Sequence, residues 1–214
     1  MNELFTSGNV MSAPSGVIGG GRQVWFDLKE SDKLPGGYQL NLDNLPLGTV
    51  LQAGTPIAVN ETTRVCTPHL SFSVYETAAL GATALKVSKI LGSSVAYVGM
   101  FIMAAPATLV ATGTGITVTA IDRTNAAYDV FTVAALAAEV TAGTVYVECD
   151  KTSTGAVIKN VPAALTVADT PKLYAGEKYS CTPAVGGNIY ERRIPPCIAP
   201  FKAVVPNVIF LKTK

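Results

Sequence analysis

Hydrophobic and polar positions alternate with a period of two in several short stretches of the chain. Leu85 and Val87 stand against Lys86 and Ser88, Ile116 and Val118 against Thr117 and Thr119, and Val145 and Val147 against Tyr146 and Glu148. Successive side chains of a strand point to opposite faces, so each stretch predicts a strand with one apolar and one polar face. Between Leu45 and Asp150 the breakers Pro46, Gly54, Pro68, Gly81, Gly92, Gly99, Pro106, Gly115, Asn125 and Gly143 recur at short intervals. Such punctuation belongs to short strands joined by turns. Abundant Val and Thr agree with it, because β-branched side chains fit a pleated surface better than a helix. A helix is expected only over Ala134 to Val140, two turns at most. The most apolar window, Val95 to Ala107, reads as a buried strand pair.

These patterns predict a mainly β protein, built as a small antiparallel barrel or sandwich with an extended N-terminal arm and an irregular C-terminal region. Residues 1–37 form the arm and linker, rich in Gly and Ser and ending in the turn signal Pro35-Gly36-Gly37. The first twenty residues offer too little apolar area to offset the entropy of ordering, and are expected to gain structure only against neighbours. Residues 38–151 form the barrel or sandwich. Residues 152–214 form an extended β and loop region, opened by the loop-like Thr152-Ser153-Thr154-Gly155 and holding seven of the thirteen prolines. Val204 to Leu211 reads as a strand whose Pro206 suits a sheet edge or a pairing with another chain.

Composition narrows the function classes. Hydrophobic residues make up 49% of the 214 and charged residues only 14%, well below the roughly 25% of an ordinary soluble domain. That skew points to a chain that covers part of its surface with neighbours. The formal net charge is +1 and basic residues nowhere cluster among aromatics, which argues against nucleic acid as a partner. Val95 to Ala107 is shorter than the ~20 residues of a spanning helix and contains Gly99 and Pro106, so no membrane span is expected. The first twenty residues hold no basic stretch followed by an apolar core, so a secretory signal peptide is not expected there. Cys66, Cys149, Cys181 and Cys197 lie far apart without a CxxC, which favours unpaired thiols over a disulfide framework or zinc site.

Candidate chemistry is sparse, and no catalytic, cofactor or metal residues are assigned. The single histidine, His69, follows Cys66 by three positions, but in a strand such a pair points to opposite faces, and a structural role is favoured for both. Asp122 and Asp129 read as the flanks of a hairpin turn, where carboxylates satisfy local backbone groups. Trp25, the only tryptophan, is either a core plug or an interface anchor.

Several segments carry a resemblance: Leu45-Pro46-Leu47-Gly48-Thr49-Val50-Leu51, Gly54-Thr55-Pro56-Ile57, Gly115 to Asp122 with Tyr128-Asp129-Val130, Ala142 to Glu148, and Tyr190-Glu191-Arg192-Arg193-Ile194-Pro195-Pro196. Together they resemble the capsid decoration and head-fibre proteins of tailed phages that infect gut bacteria. The resemblance implies a non-enzymatic virion protein on the capsid surface, assembled in the host cytoplasm, that binds the major capsid protein. It also implies self-association, commonly as a trimer. The chain departs from a fibre in having no long coiled-coil or repetitive shaft. Contact with capsid or sister subunits is expected at Val24, Trp25 and Phe26, at Arg192 and Arg193, and at Val208 and Phe210. The alternative is a carbohydrate- or receptor-binding module of a phage fibre. A glycan-active enzyme comes third, and would require two carboxylates converging across a cleft.

Overall fold

The computed structural model describes residues 24–26, 32–43, 45–89 and 94–212. The expected disordered arm of the first twenty residues lies outside them. Sixteen strands are present among the described residues, with one α-helix.

A six-stranded sheet has the order β13-β1-β3-β2-β12-β14. Its members are β1 (Tyr38–Leu40), β2 (Pro56–Asn60), β3 (Val65–Pro68), β12 (Ala164–Thr166), β13 (Ser180–Cys181) and β14 (Pro183–Ala184). The two edge strands, β13 and β14, are separated in the chain by Thr182 alone, so the sheet curls round until its edges nearly meet. A nearly closed, barrel-like sheet is therefore present in a mainly β fold, as the punctuation predicts, but it is not confined to residues 38–151. Half of its strands come from beyond Lys151, and the stretches 38–151 and 152–214 share this sheet. The loop-like Thr152 to Gly155 is itself mostly strand, β11 (Ser153–Ala156).

A five-stranded sheet, β11-β7-β6-β10-β4, packs beside the barrel. It contains β4 (Ser71–Ser73), β6 (Phe101–Ala104), β7 (Gly113–Thr117) and β10 (Val145–Glu148). This sheet divides two cores. Phe72, Ile102 and Tyr146 enter the larger core, with Leu40, Leu51 and Ile57 of the barrel region. Met103, Val147 and Ala156 enter the second, with Trp25, Leu165, Ile189 and Phe201. A three-stranded sheet of β5 (Ala84–Ser88), β9 (Tyr128–Thr132) and β8 (Ala120–Asp122) closes the larger core with Leu85, Val87 and Phe131. The Val95 to Ala107 window holds one strand, β6, rather than a pair.

The last sheet is a parallel pair, β15 (Gly186–Tyr190) and β16 (Asn207–Leu211), joined through a 3-10 turn at Glu191–Arg193 and helix α1 (Ala199–Val204). Of the described residues within the expected arm and linker, 24–26 run beside β15, and Lys33 meets β14 of the six-stranded sheet. Trp25 bridges Ile189 antiparallel, Phe26 N donates to Asn188 O at 2.8 Å, and Lys33 bridges Ala184. Trp25 is 2% exposed and its Nε1 donates to Thr166 O at 3.3 Å, which settles its role as a core plug. Gly54 sits under the same strip with φ +76, and a Cβ there would lie 2.2 Å from Ile194 Cγ2. Only glycine fits both the left-handed backbone and the gap.

The helix expected at Ala134 to Val140 does not form. That segment is irregular, and Val140 instead makes an isolated bridge to Ala78. The helix forms at Ala199–Val204, where Pro200 stands in the first turn and sacrifices no intrahelical bond. None of the described helices is long and apolar enough to cross a membrane.

Candidate functional site

The seven residues singled out for contact gather on one strip. Val24, Trp25 and Phe26 flank β15 on one side, Val208 and Phe210 lie on β16 on the other, and Arg192 and Arg193 follow β15 directly. Three of them offer no surface: Val24, Trp25 and Val208 are buried in the second core. Phe210 is half-buried against that core, with Lys202 Nζ 5.1 Å from its ring centroid. Alternation places the opposite face outward. Phe26 is 56% exposed and Ile209 58% exposed, and Asn188 pairs with Ile209 as Tyr190 pairs with Leu211. The Phe26 and Tyr190 rings lie 6.5 Å apart, and the Arg193 guanidinium sits 4.6 Å from the Tyr190 centroid. Arg192 is exposed. The result is an aromatic and aliphatic outer face with a cationic rim, fixed from behind by Trp25, Ile189 and Phe201.

A second site was not anticipated. Strand β10 is flanked by β6 and β4 and turns Tyr146 into the larger core and Val147 into the second, so both of its faces are covered and the polar face expected of Tyr146 and Glu148 is buried instead. Glu148 is 3% exposed. Its Oε1 accepts a hydrogen bond from the Tyr97 hydroxyl and another from Lys159 Nζ at 2.7 Å. Lys159 Nζ also reaches Tyr97 Oη at 3.0 Å. Burial and the hydrogen bond to Glu148 raise the Tyr97 pKa, so its proton stays in place. Burial disfavours the Lys159 ammonium, but the Glu148 and Tyr97 contacts outweigh it and raise the Lys159 pKa.

This triad forms one wall of a cavity of about 200 Å³. Leu45, Pro68 and Leu70 supply an apolar patch, and Asn41, Asp43, Thr67 and Asn160 the remaining polar positions. Behind the wall, His69 is 2% exposed and its Nδ1 lies 2.9 Å from Asn160 O. Burial lowers the His69 pKa to about 4, so the ring is neutral at pH 7. A neutral ring with Nδ1 donating to Asn160 leaves Nε2 as a buried acceptor without a partner among the described residues. His69 thereby pins Asn160 to the cavity rim. No hydrogen bond joins it to Cys66, whose thiol instead meets that of Cys181; that contact lowers the Cys66 pKa. All four cysteines are free thiols.

The other buried carboxylate is Asp129, which sequence reasoning placed at a turn. It is fully buried and pairs with Lys89 at 3.0 Å and with Arg123 at 3.4 Å. Asp122 does act locally, accepting from Thr124 N at 2.9 Å, a bond that lowers its pKa. Among the described residues no group of three or more His, Cys, Asp or Glu side chains is placed to hold a metal. Compared with protein-family models, curated proteins and solved structures, the chain matches none.

Proposed function

We propose that this chain is a virion structural protein that decorates or cements the capsid of a tailed phage by binding its major capsid protein. The sequence resemblance motivates the reading, and the outer face of the β15–β16 strip supports it. Stable protein interfaces concentrate their energy in a few aromatic and Arg anchors backed by rigid packing. Phe26, Tyr190 and Arg193 have that composition, and the second core holds them from behind. Ile209 extends the patch with apolar area. A chain with 14% charged residues also gains by covering such a face. Self-association, three-fold as in the resembling family, is part of the proposal.

Co-sedimentation with isolated capsids tests the surface. The double variant Phe26→Ser, Ile209→Ser removes exposed apolar groups only, so it keeps its fold and loses about tenfold or more in capsid affinity, equivalent to about 1.4 kcal/mol or more. Unchanged binding by a folded double variant would overturn this assignment of the contact face.

A further inference from the structure

The cavity beside Glu148 has the chemistry of a ligand site, and we infer that it binds a single neutral sugar residue. Several of its polar groups are left over after internal bonding. Both side-chain hydrogen bonds to Glu148 fall on Oε1, and none of the described residues donates to Oε2. Asn41 uses Oδ1 to accept from Asp43 N at 3.0 Å, which leaves its Nδ2 protons uncommitted. Asn160 uses Nδ2 to donate to Pro68 O at 3.1 Å, which leaves its Oδ1. The Asp43 carboxylate is exposed at the mouth.

The leftover groups combine one donor with three acceptors: Asn41 donates, while Asp43, Glu148 and Asn160 accept. A hydroxyl both donates and accepts, so a ring carrying several hydroxyls satisfies such a wall better than a simple cation or anion does. Leu45, Pro68 and Leu70 provide the apolar patch against which a sugar's C–H face packs. Lys159 cancels the Glu148 charge, so the inner wall is not a strong electrostatic trap for ions. At about 200 Å³ the space is below the roughly 300–1,000 Å³ of drug-sized sites and suits one ring. The triad is also ordered in advance. Tyr97 and Lys159 hold the carboxylate by two hydrogen bonds, so little side-chain entropy remains to be lost on binding.

The test is an NMR titration of the isotope-labelled full chain with free glucose, galactose, mannose and N-acetylglucosamine, each separately. At least one sugar is expected to shift the amide signals of Asn41, Thr67 and Asn160 saturably, in the millimolar range of a one-residue site. Asp43→Ala, at an exposed position, should weaken that sugar about tenfold or more with an unchanged unfolding midpoint, and Thr67→Val provides a second probe of the wall. Absence of saturable shifts with all four sugars would overturn the inference. So would shifts that survive both variants, or a response to calcium or choline with none to sugar. The inference does not rest on the capsid reading, since the titration and the capsid assay read different surfaces.

Discussion

Asp129 and Glu148 are both buried carboxylates on β-strands, each paired with a lysine, yet one is closed and the other open. Around Asp129 the protein supplies the partners itself, although Oδ1 has only the Lys89 ion pair at 3.0 Å and no hydrogen bond. Oδ2 accepts from Ser94 Oγ at 2.5 Å, Lys89 Nζ donates to the carbonyls of Arg123 and Asn125, and Arg123 Nη2 donates to Ala96 O. The Lys89 side chain is 5% exposed. The network ties the hairpin of β8 and β9 to the Ser94–Ala96 segment. Around Glu148 one carboxylate oxygen stays unclaimed, the Lys159 side chain is 38% exposed, and a cavity adjoins them. Burial of charge alone therefore does not mark a site. The sign to look for is an unspent hydrogen-bonding group facing space.

Removing the two carboxylates should separate these roles. Asp129→Ala strands Lys89 in the interior and is expected to cost about 3–5 kcal/mol of unfolding free energy, the range for breaking a buried pair by deleting one partner. Sugar titration of whatever fraction remains folded should be unchanged. A loss under 1 kcal/mol in urea unfolding would mean that the cluster is solvated rather than closed.

Acid should act on the open site through His69. Its folded pKa of about 4 lies below the ordinary value of 6.5, so the unfolded state holds the extra proton between those two values. Stability from this group is therefore complete above about pH 6.5 and is lost as the pH falls towards about 4. At about 1.36 kcal/mol per pH unit the loss amounts to about 3 kcal/mol. Urea unfolding of His69→Gln should show a shallower fall across that window than the unmodified chain, and equal slopes would refute a neutral buried ring. The smallest stability effect belongs to Glu148→Gln, at about 1–2 kcal/mol, because Lys159 can turn towards solvent while Tyr97 keeps an acceptor. Its effect on sugar binding should exceed its effect on folding. The opposite ranking would make Glu148 a second structural carboxylate.

Local pattern was legible where one face of a strand meets solvent or a partly covered edge. The alternation at Leu85 to Ser88 became β5, with Leu85 and Val87 buried and Lys86 and Ser88 half-exposed. It misled at Val145 to Glu148, where the period of two is real but the strand lies in mid-sheet with both faces covered. Which strands flank a given one is decided by chain segments far away in sequence. The same reason hides the barrel closure through β13 and β14, and the parallel pairing of β1 with β3 and of β15 with β16. Asp129 read as a turn residue because its ion partners Lys89 and Arg123 come together only through the hairpin fold. Glu148 carried no signal beyond being a carboxylate in an otherwise apolar strand, an oddity that in hindsight pointed to a buried partner. Of the residues expected to make contact, Phe26, Arg192 and Arg193 share one outer region, whereas Val24, Trp25 and Val208 turn inward.

The capsid reading is tested most directly by the composition of purified phage particles that encode this chain. Quantitative mass spectrometry should find it in a fixed, stoichiometric ratio to the major capsid protein after density-gradient purification. Its absence from such particles, or a trace amount that washes away while infectivity and shell stability are kept, would contradict a decorating or cementing role.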